Sequence, residues 1–220
     1  MYLSRIQLNP QRRHTRWLLA SPQRMHAEIL NAFPDPPTGD RRGEARILWR
    51  LDDEGRRTFL YVTSPDAPDL NKLTEEAGWE TAPGAVKPYG DFIRRLRVGS
   101  RWGFRLTANP VRYTKRPGDR RGRRSPHVTV GYQEEWLQEK ARQHGFDLTE
   151  GDGHSFILTK RRTLQFTRSD STNRVTIATA QFDGELRVSD AEALRAALRG
   201  GIGPAKAYGC GMLTLAPIRK

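Results

Sequence analysis

Gly200-Gly201-Ile202-Gly203-Pro204-Ala205-Lys206-Ala207-Tyr208-Gly209-Cys210-Gly211, running into Met212-Leu213-Thr214-Leu215, is the stretch around which this chain is read. Five glycines fall within twelve residues, between a capped helix and an apolar run that reads as a last strand. Ser189 and Glu192 form a capping-box pair ahead of a helix expected over Ala191–Leu198, and Gly200 is its stop. Glycines so spaced allow positive φ and a close approach to another polymer, with main-chain N–H groups open to phosphate. Lys206 adds a cation where such an anion would lie. Neither familiar phosphate motif fits. A P-loop needs Gly-Lys-Ser/Thr, but Ala205 precedes Lys206 and Ala207 follows it; a dinucleotide fingerprint needs glycine in place of Lys206, after a strand rather than a helix. The plain alternative is a surface loop without a ligand.

Upstream of this stretch, Ser155–Arg168 and Arg174–Phe182 alternate as a long basic hairpin around Ser169–Asn173, and Glu185–Val188 reads as a further strand. Glu134–His144 is a helix with acids early, Lys140, Arg142 and His144 late, and Gly145 after it. Arg101–Ala108 alternates as a strand that Asn109-Pro110 breaks. Lys115–Arg124 holds six basic residues and one acid among Pro117, Gly118 and Gly122, and reads as a loop. The first ninety or so residues run in the same order. Residues 2–8 alternate as a strand, and Asn9–Arg16 is a basic linker. Ser21 caps a helix that Pro22 opens, with Met25, Ile29, Leu30 and Phe33 as its stripe. Ala45–Leu51 and Arg57–Ser64 are strands around Asp52–Gly55, Asp69–Gly78 is a short helix, and a strand lies near Val86–Tyr89. Strand–helix–strand–strand–helix–strand is the ferredoxin-like order. The expected fold is α+β, two tandem ferredoxin-like (RRM-like) domains, residues 1–92 and 93–220, alike in architecture but not visibly in sequence.

Of the 220 residues, 36% are hydrophobic, enough for modest cores. The formal net charge of +13 is the footprint of a polyanion binder. No long basic amphipathic helix or lipidation signal favours a membrane surface over nucleic acid. One cysteine excludes an intramolecular disulfide framework or a cysteine-based zinc cluster. Cys210, with no histidine near it in sequence, reads as a small packing residue. Arginines at 5, 12, 13 and 16 interrupt any signal peptide, and no run of eighteen apolar residues occurs. A soluble, cytoplasmic protein is expected.

Several segments resemble one family. Met1-Tyr2-Leu3-Ser4 opens the chain and Met25-His26 lies on the first helix. Phe104-Arg105-Leu106-Thr107-Ala108-Asn109-Pro110 begins the second half, and Trp136-Leu137-Gln138 lies on its helix. Gly201–Lys206 with Gly209–Leu213 closes it. In this order they resemble the CasE family, CRISPR repeat-processing endoribonucleases of the Cascade surveillance complex. The resemblance implies a tandem ferredoxin-like protein that binds the stem-loop of a CRISPR repeat transcript and cuts at the base of the stem. It further implies cleavage without a metal or other cofactor, with the RNA's own hydroxyl as nucleophile. The products are a cyclic phosphate or its hydrolysed form and a free 5′-hydroxyl, and the protein stays with its RNA among the other Cascade subunits.

Cleavage by a neighbouring 2′-OH needs a base, an acid for the leaving 5′ oxygen, and positive groups for the phosphorane. Histidine suits proton transfer near neutrality. His26 stands just past the first turn of its helix, beside the Met25–Ile29 stripe; read alone it is as readily a structural histidine, and the resemblance makes it catalytic. Family members carry a tyrosine one turn earlier, where this chain has Gln23. Glutamine donates a hydrogen bond to phosphate but exchanges no proton, and Arg24 and Tyr208 are possible substitutes. Arg24, Lys160, Arg161, Arg162 and Arg168, with Arg174 behind them, are the expected grip on A-form RNA, which is read by shape and charge. Gly201, Gly203 and Lys206 complete the RNA-facing surface. His144 is expected as a charge partner of its helix terminus, and His14, His127 and His154 as loop residues. Asp147, Glu150, Asp152 and His154 could hold a metal, but their glycine-rich setting reads as a solvated turn. Two alternatives stay open. An RRM-type single-strand binder would use Phe59 and Tyr61 for stacking, though core or interface roles suit them better. A scaffold would grip structured RNA without cutting it.

Overall fold

Residue periodicity is realised in two sheets that face each other across a polar joint. The computed structural model describes residues 1–34, 45–114, 123–150, 153–167 and 174–218, with backbone alone at 123, 149 and 150. The chain runs β1 (Tyr2–Leu8), α1 (Arg13–Leu19), α2 (Pro22–Leu30), β2 (Leu48–Glu54), β3 (Arg57–Ser64), α3 (Asn71–Ala77), β4 (Ala85–Pro88) and α4 (Gly90–Arg94). Next come β5 (Arg101–Ala108), β6 (Val111–Thr114), β7 (Arg123–Pro126), α5 (Val130–Gln143), β8 (Phe146–Asp147), β9 (Thr149–Glu150) and β10 (Gly153–His154). The chain continues through β11 (Phe156–Thr167), β12 (Arg174–Val188), α6 (Ala191–Gly200), a 3-10 turn (Lys206–Tyr208) and β13 (Leu213–Ala216). Among the described residues the first sheet has the order β2-β3-β1-β4 and the second β11-β12-β5-β13, with β8 beside β12. Neighbouring strands are antiparallel throughout. Both sheets thus have the ferredoxin-like order, and the fold is the tandem α+β arrangement read from the sequence.

Each unit has its own core. Ile6, Met25, Ile29, Leu60 and Leu73 pack in the first, and Leu106, Leu137, Phe146, Phe182 and Leu194 in the second. Burying each such side chain is worth about 1.5–3 kcal/mol. The expected division after residue 92 falls inside α4, whose Ile93 belongs to the second core.

Several local expectations are corrected. The linker over Asn9–Arg16 contains the start of α1. Its basic surface masks a buried face of Thr15 and Leu18, and the Thr15 hydroxyl donates to the Ala77 carbonyl at 2.8 Å. The strand expected from Ala45 starts at Leu48 and runs on through the acidic residues to Glu54, because Asp52 pairs inward. At α6 the cap is Asp190, not Ser189: its carboxylate accepts from the N–H groups of Glu192 and Ala193 at 2.9 and 3.1 Å, and the helix reaches Gly200. α5 begins a turn earlier than expected, at Val130, with the Thr129 hydroxyl accepting from Tyr132. Glu185–Val188 is the end of one fifteen-residue strand, β12. Residues 115–122 and 168–173, which hold most of the expected basic loop and the hairpin turn, lie outside the described residues.

Candidate nucleic-acid interface

Helix α2 presents His26. Ser21 is extended at the N-cap without a side-chain capping bond, so Pro22, with its φ preset, defines the start. Met25 and Ile29 turn into the core, which leaves His26 half-buried at the helix edge. Its Nδ1 is buried with no hydrogen-bond partner among the described residues. Burial pushes the imidazole below its ordinary pKa, so the neutral form prevails at neutral pH. Gln23, at the position of the expected tyrosine, is likewise half-buried. Arg24 is exposed but not idle. It donates to the Trp17 carbonyl at 3.3 Å, with its guanidinium 4.7 Å from the centre of the Trp17 ring. His14 stacks on Trp17 at 5.4 Å and lies on α1 rather than in a loop. It approaches Glu28 and Glu76 at 3.8 and 3.4 Å, a gathering of ligand types that the sequence does not announce.

The hairpin cations do not form one row. Adjacent strand residues point to opposite faces, and Arg161 donates to the Val128 carbonyl while Lys160 and Arg162 both reach Asp53 on β2. Burial pushes Asp53 up, but the hydrogen bond and charge of Lys160, then Arg162, outweigh it and hold the carboxyl below its usual range. Arg168 lies outside the described residues. Behind this contact is the joint. Arg50 and Asp52, each 3% exposed, form a bidentate pair at 2.6 and 2.9 Å. Arg50 also donates to the carbonyls of Arg105 and Met212, both at 3.1 Å. Arg105 reaches Asp52 at 3.2 Å and Asp183 at 2.5 Å. Tyr61 lies under Arg50, 5.7 Å from its guanidinium, and Phe59 is buried, so these aromatics line the joint instead of an open stacking surface.

The glycine stretch closes one end of this joint, and its glycines answer first to tryptophan. Gly203 has φ 78°, and a Cβ there would meet the Trp136 ring at 2.9 Å; Gly209, also at φ 78°, would meet Trp49 at 2.9 Å. Only glycine lets the loop wedge between a tryptophan of each unit. The Gly201 N–H goes to the Ala197 carbonyl at 2.8 Å and terminates α6, so this amide is not one of the main-chain groups open to phosphate. Lys206 donates to the Gly203 carbonyl at 2.8 Å, and burial, then the nearby Arg46 charge, lowers its pKa. Cys210 is fully buried, its thiol pushed up to about 12, which suits a packing role. His144 caps α5 but is not the expected cation, because burial, then Lys140 and Lys206, lower its pKa.

α2 packs against the Lys206–Tyr208 turn, which brings His26's helix to the glycine stretch. Tyr208 rests on Phe166 of the hairpin, ring centres 4.8 Å apart, and forms a wall shared by two cavities. One, of about 250 Å³, lies between the units and is lined by α2, Trp49, Arg50, Lys160 and Arg162. The other, of about 880 Å³, is lined by Arg46, the β6–β7 pair, α5 and the turn. Sequence reasoning found the helix, the hairpin and the turn, but neither the joint nor the second cavity. His127 lines that cavity, and His154 contacts Gln138 at 3.1 Å on the far side of α5. Asp147 pairs with Arg187 at 3.0 Å.

This combination defines a class: tandem ferredoxin-like proteins with a cleft between the units lined by Arg50, Lys160 and Arg162. More narrowly, the chain belongs to the family described as CRISPR associated protein, whose model matches residues 1–217. It is similar to CRISPR-associated endoribonuclease Cse3 of Thermus thermophilus, 31% identical over 224 residues, 99% of this chain and 100% of that protein. It is also similar to the CRISPR system Cascade subunit CasE of Escherichia coli, 34% identical over 185 residues, 78% of this chain and 89% of that protein. A structure of CRISPR endoribonuclease Cse3 bound to 19 nt RNA matches with TM-score 0.81 at 30% identity, over 99% of this chain and 100% of that one.

Proposed function

We propose that this protein is a metal-independent endoribonuclease that cuts CRISPR repeat transcripts at the base of their stem-loop, then stays on the product as a cytoplasmic Cascade subunit. The observation that carries the reading is a neutral, half-buried His26 on a helix that packs against the glycine turn and whose Pro22 and Met25 line a cavity with Lys160 and Arg162. The first unit, residues 1–92, supplies the proton-transfer group, and the second, residues 93–220, supplies the grip. His26 takes the 2′-OH proton as that oxygen attacks the adjacent phosphorus. The P–O5′ bond breaks as water protonates the 5′ oxygen, and His26 returns its proton to solvent, which leaves a 2′,3′-cyclic phosphate and a 5′-hydroxyl. Lys160 and Arg162 meet stem phosphates from one face of the hairpin and Arg161 from the other, with Lys206 and Arg24 flanking the cut. The nucleophile belongs to the substrate, so the chain must supply only proton transfer and positive charge.

The test is incubation with the repeat RNA of its own host in excess chelator, comparing wild type with His26→Ala and mapping product ends. Single-turnover cleavage is expected to fall by about 10²–10⁴-fold with binding retained. An unchanged rate removes His26 from the mechanism, and loss of wild-type cleavage in chelator turns attention to His14, Glu28 and Glu76. Gln23 favours one second reading, the non-cleaving scaffold. Tight binding of the stem-loop by wild type with no product would establish it.

A further inference from the structure

Apart from Lys206, the residues of the larger cavity have no role in the reaction proposed above, yet the cavity gathers mostly positive charge. Arg46, Arg112, Arg124, Lys140 and Lys206 converge on it from five separate segments, and Glu139 is the one carboxylate among its described lining residues. Like charges held together in a recess cost free energy unless an anion joins them. Their mutual influence is visible inside the protein: Arg46 adds to burial in lowering Lys206, and Lys140 and Lys206 add to burial in lowering His144. The rim carries an aromatic as well. Tyr113 is 64% exposed, with the Arg124 guanidinium 5.3 Å from its ring centre and the Arg124 Nε donating to its hydroxyl at 2.8 Å. An open aromatic beside arginine, above a cationic recess, is the composition of a single-strand site. The volume of about 880 Å³ falls within the roughly 300–1,000 Å³ of typical ligand sites.

The two cavities meet at Tyr208, on the turn that packs against the helix of His26. Lys160 and Arg162 line the smaller one and the second cation set lines the larger. We propose that this larger cavity binds the single-stranded RNA that follows the scissile phosphate, so that the chain holds the transcript on both sides of the cut. The strand crosses the glycine turn, with stem phosphates on the hairpin side and the flanking nucleotides among Arg46, Arg112, Arg124 and Lys140. After the P–O5′ bond breaks, this flank is the fragment that carries the free 5′-hydroxyl. The inference rests on the endoribonuclease reading given above.

The experiment uses repeat stem-loops with a 2′-deoxy substitution at the attacking nucleotide, so that binding is measured without cleavage. Three RNAs are compared: bare, extended by three nucleotides at the 3′ end, and extended by three at the 5′ end. The 3′ extension is expected to tighten binding about tenfold at low salt, and each phosphate met steepens the log–log salt slope by about 0.7. In Arg112→Ala/Arg124→Ala the ratio of extended to bare affinity falls to near one. In Arg94→Ala, an exposed arginine paired with Asp91, that ratio is kept. The proposal is overturned if wild type gains nothing from the 3′ extension, as when the cavity instead takes an acidic protein segment. It is equally overturned if the 5′ extension is preferred, if the double variant keeps the wild-type ratio, or if Arg94→Ala loses it. Failure to bind the bare stem-loop at all would instead strike the function reading itself.

Discussion

The joint between the units and the cavity beyond the glycine turn are both rich in arginine and lysine, and they differ in how many carboxylates meet them. In the joint every guanidinium has a carboxylate: Arg50 with Asp52, Arg105 with Asp52 and Asp183, and Arg162 with Asp53. Burial pushes Asp183 up, but Arg105, Thr159 and Gln181 outweigh it and hold the carboxyl below its usual range. Across the wall, the shifted groups are the basic side chains of Lys206 and His144, pushed down by burial and by neighbouring cations. Charge is paired in the first place, whereas the second gathers five cations and one carboxylate among its described lining residues. The formal charge of +13 is therefore two populations. One is paired with carboxylates across the joint, and the other lines the cavity proposed to take single-stranded RNA.

Breaking the paired side should have the largest effect. Arg50→Ala leaves Asp52 charged and buried, and loss of one partner of such a pair costs about 3–5 kcal/mol. Urea unfolding should show that loss, and Arg50→Met/Asp52→Leu should lose less than Arg50→Ala alone, because it removes both charges. A loss within about 0.5 kcal/mol for the single variant would mean that the joint is not closed as described.

His26 lies between the two regions, and its test is pH. Burial disfavours the imidazolium and depresses the pKa, so the neutral base persists below the ordinary value of 6.5. The single-turnover second-order rate constant at sub-saturating protein, which reports the free enzyme as kcat/KM does, should therefore stay level on going down through pH 6.5 and fall about tenfold per unit only at lower pH. An acidic limb starting above 6.5 would show that burial does not govern this ring.

Asp53 tests whether the hairpin cations can leave the joint. Lys160 and Arg162 reach it from a partly exposed strand, where such pairs are worth about 0–1 kcal/mol. Asp53→Asn should tighten stem-loop binding by up to about fivefold, with a small loss of thermal stability, as filter binding and thermal melts would show. Weakened binding would mean that Asp53 sets the hairpin's geometry and that these two residues do not turn to RNA.

How far the sequence could carry this comparison follows from what each feature depends on. β1, β3 and β5 are set by local alternation and fall where alternation puts them. Proline fixes the start of α2 just as locally. Asp52 and Asp53 look like turn residues because nothing nearby in sequence pairs with them; their partners Arg105, Lys160 and Arg162 arrive only when the second sheet faces the first. The one local hint was Arg50 and Asp52, two apart and so on one face of a strand. The glycine stretch was legible as a special backbone but not as a wedge between Trp49 and Trp136, two residues far apart in the chain. The second cavity draws on positions 46, 112, 124, 140 and 206, no two of them near neighbours in sequence.

The smallest effect expected isolates the charge of the cavity without touching the fold. Lys140 lies partly exposed on α5, where its ammonium donates to Gln143 at 2.8 Å, and it is the first charge, after burial, to lower His144. Lys140→Gln removes that repulsion, so the His144 pKa should rise toward its ordinary value and stop short of it, since burial and Lys206 remain. A histidine titration followed by NMR reads this directly, and added salt should narrow the gap between the two proteins because screening weakens the same repulsion. Binding of the 3′-extended RNA should then shift His144 upward in wild type more than in Lys140→Gln, as phosphate cancels the cation that the variant lacks. A His144 pKa that ignores both the substitution and the RNA would mean that the cavity charges do not act together.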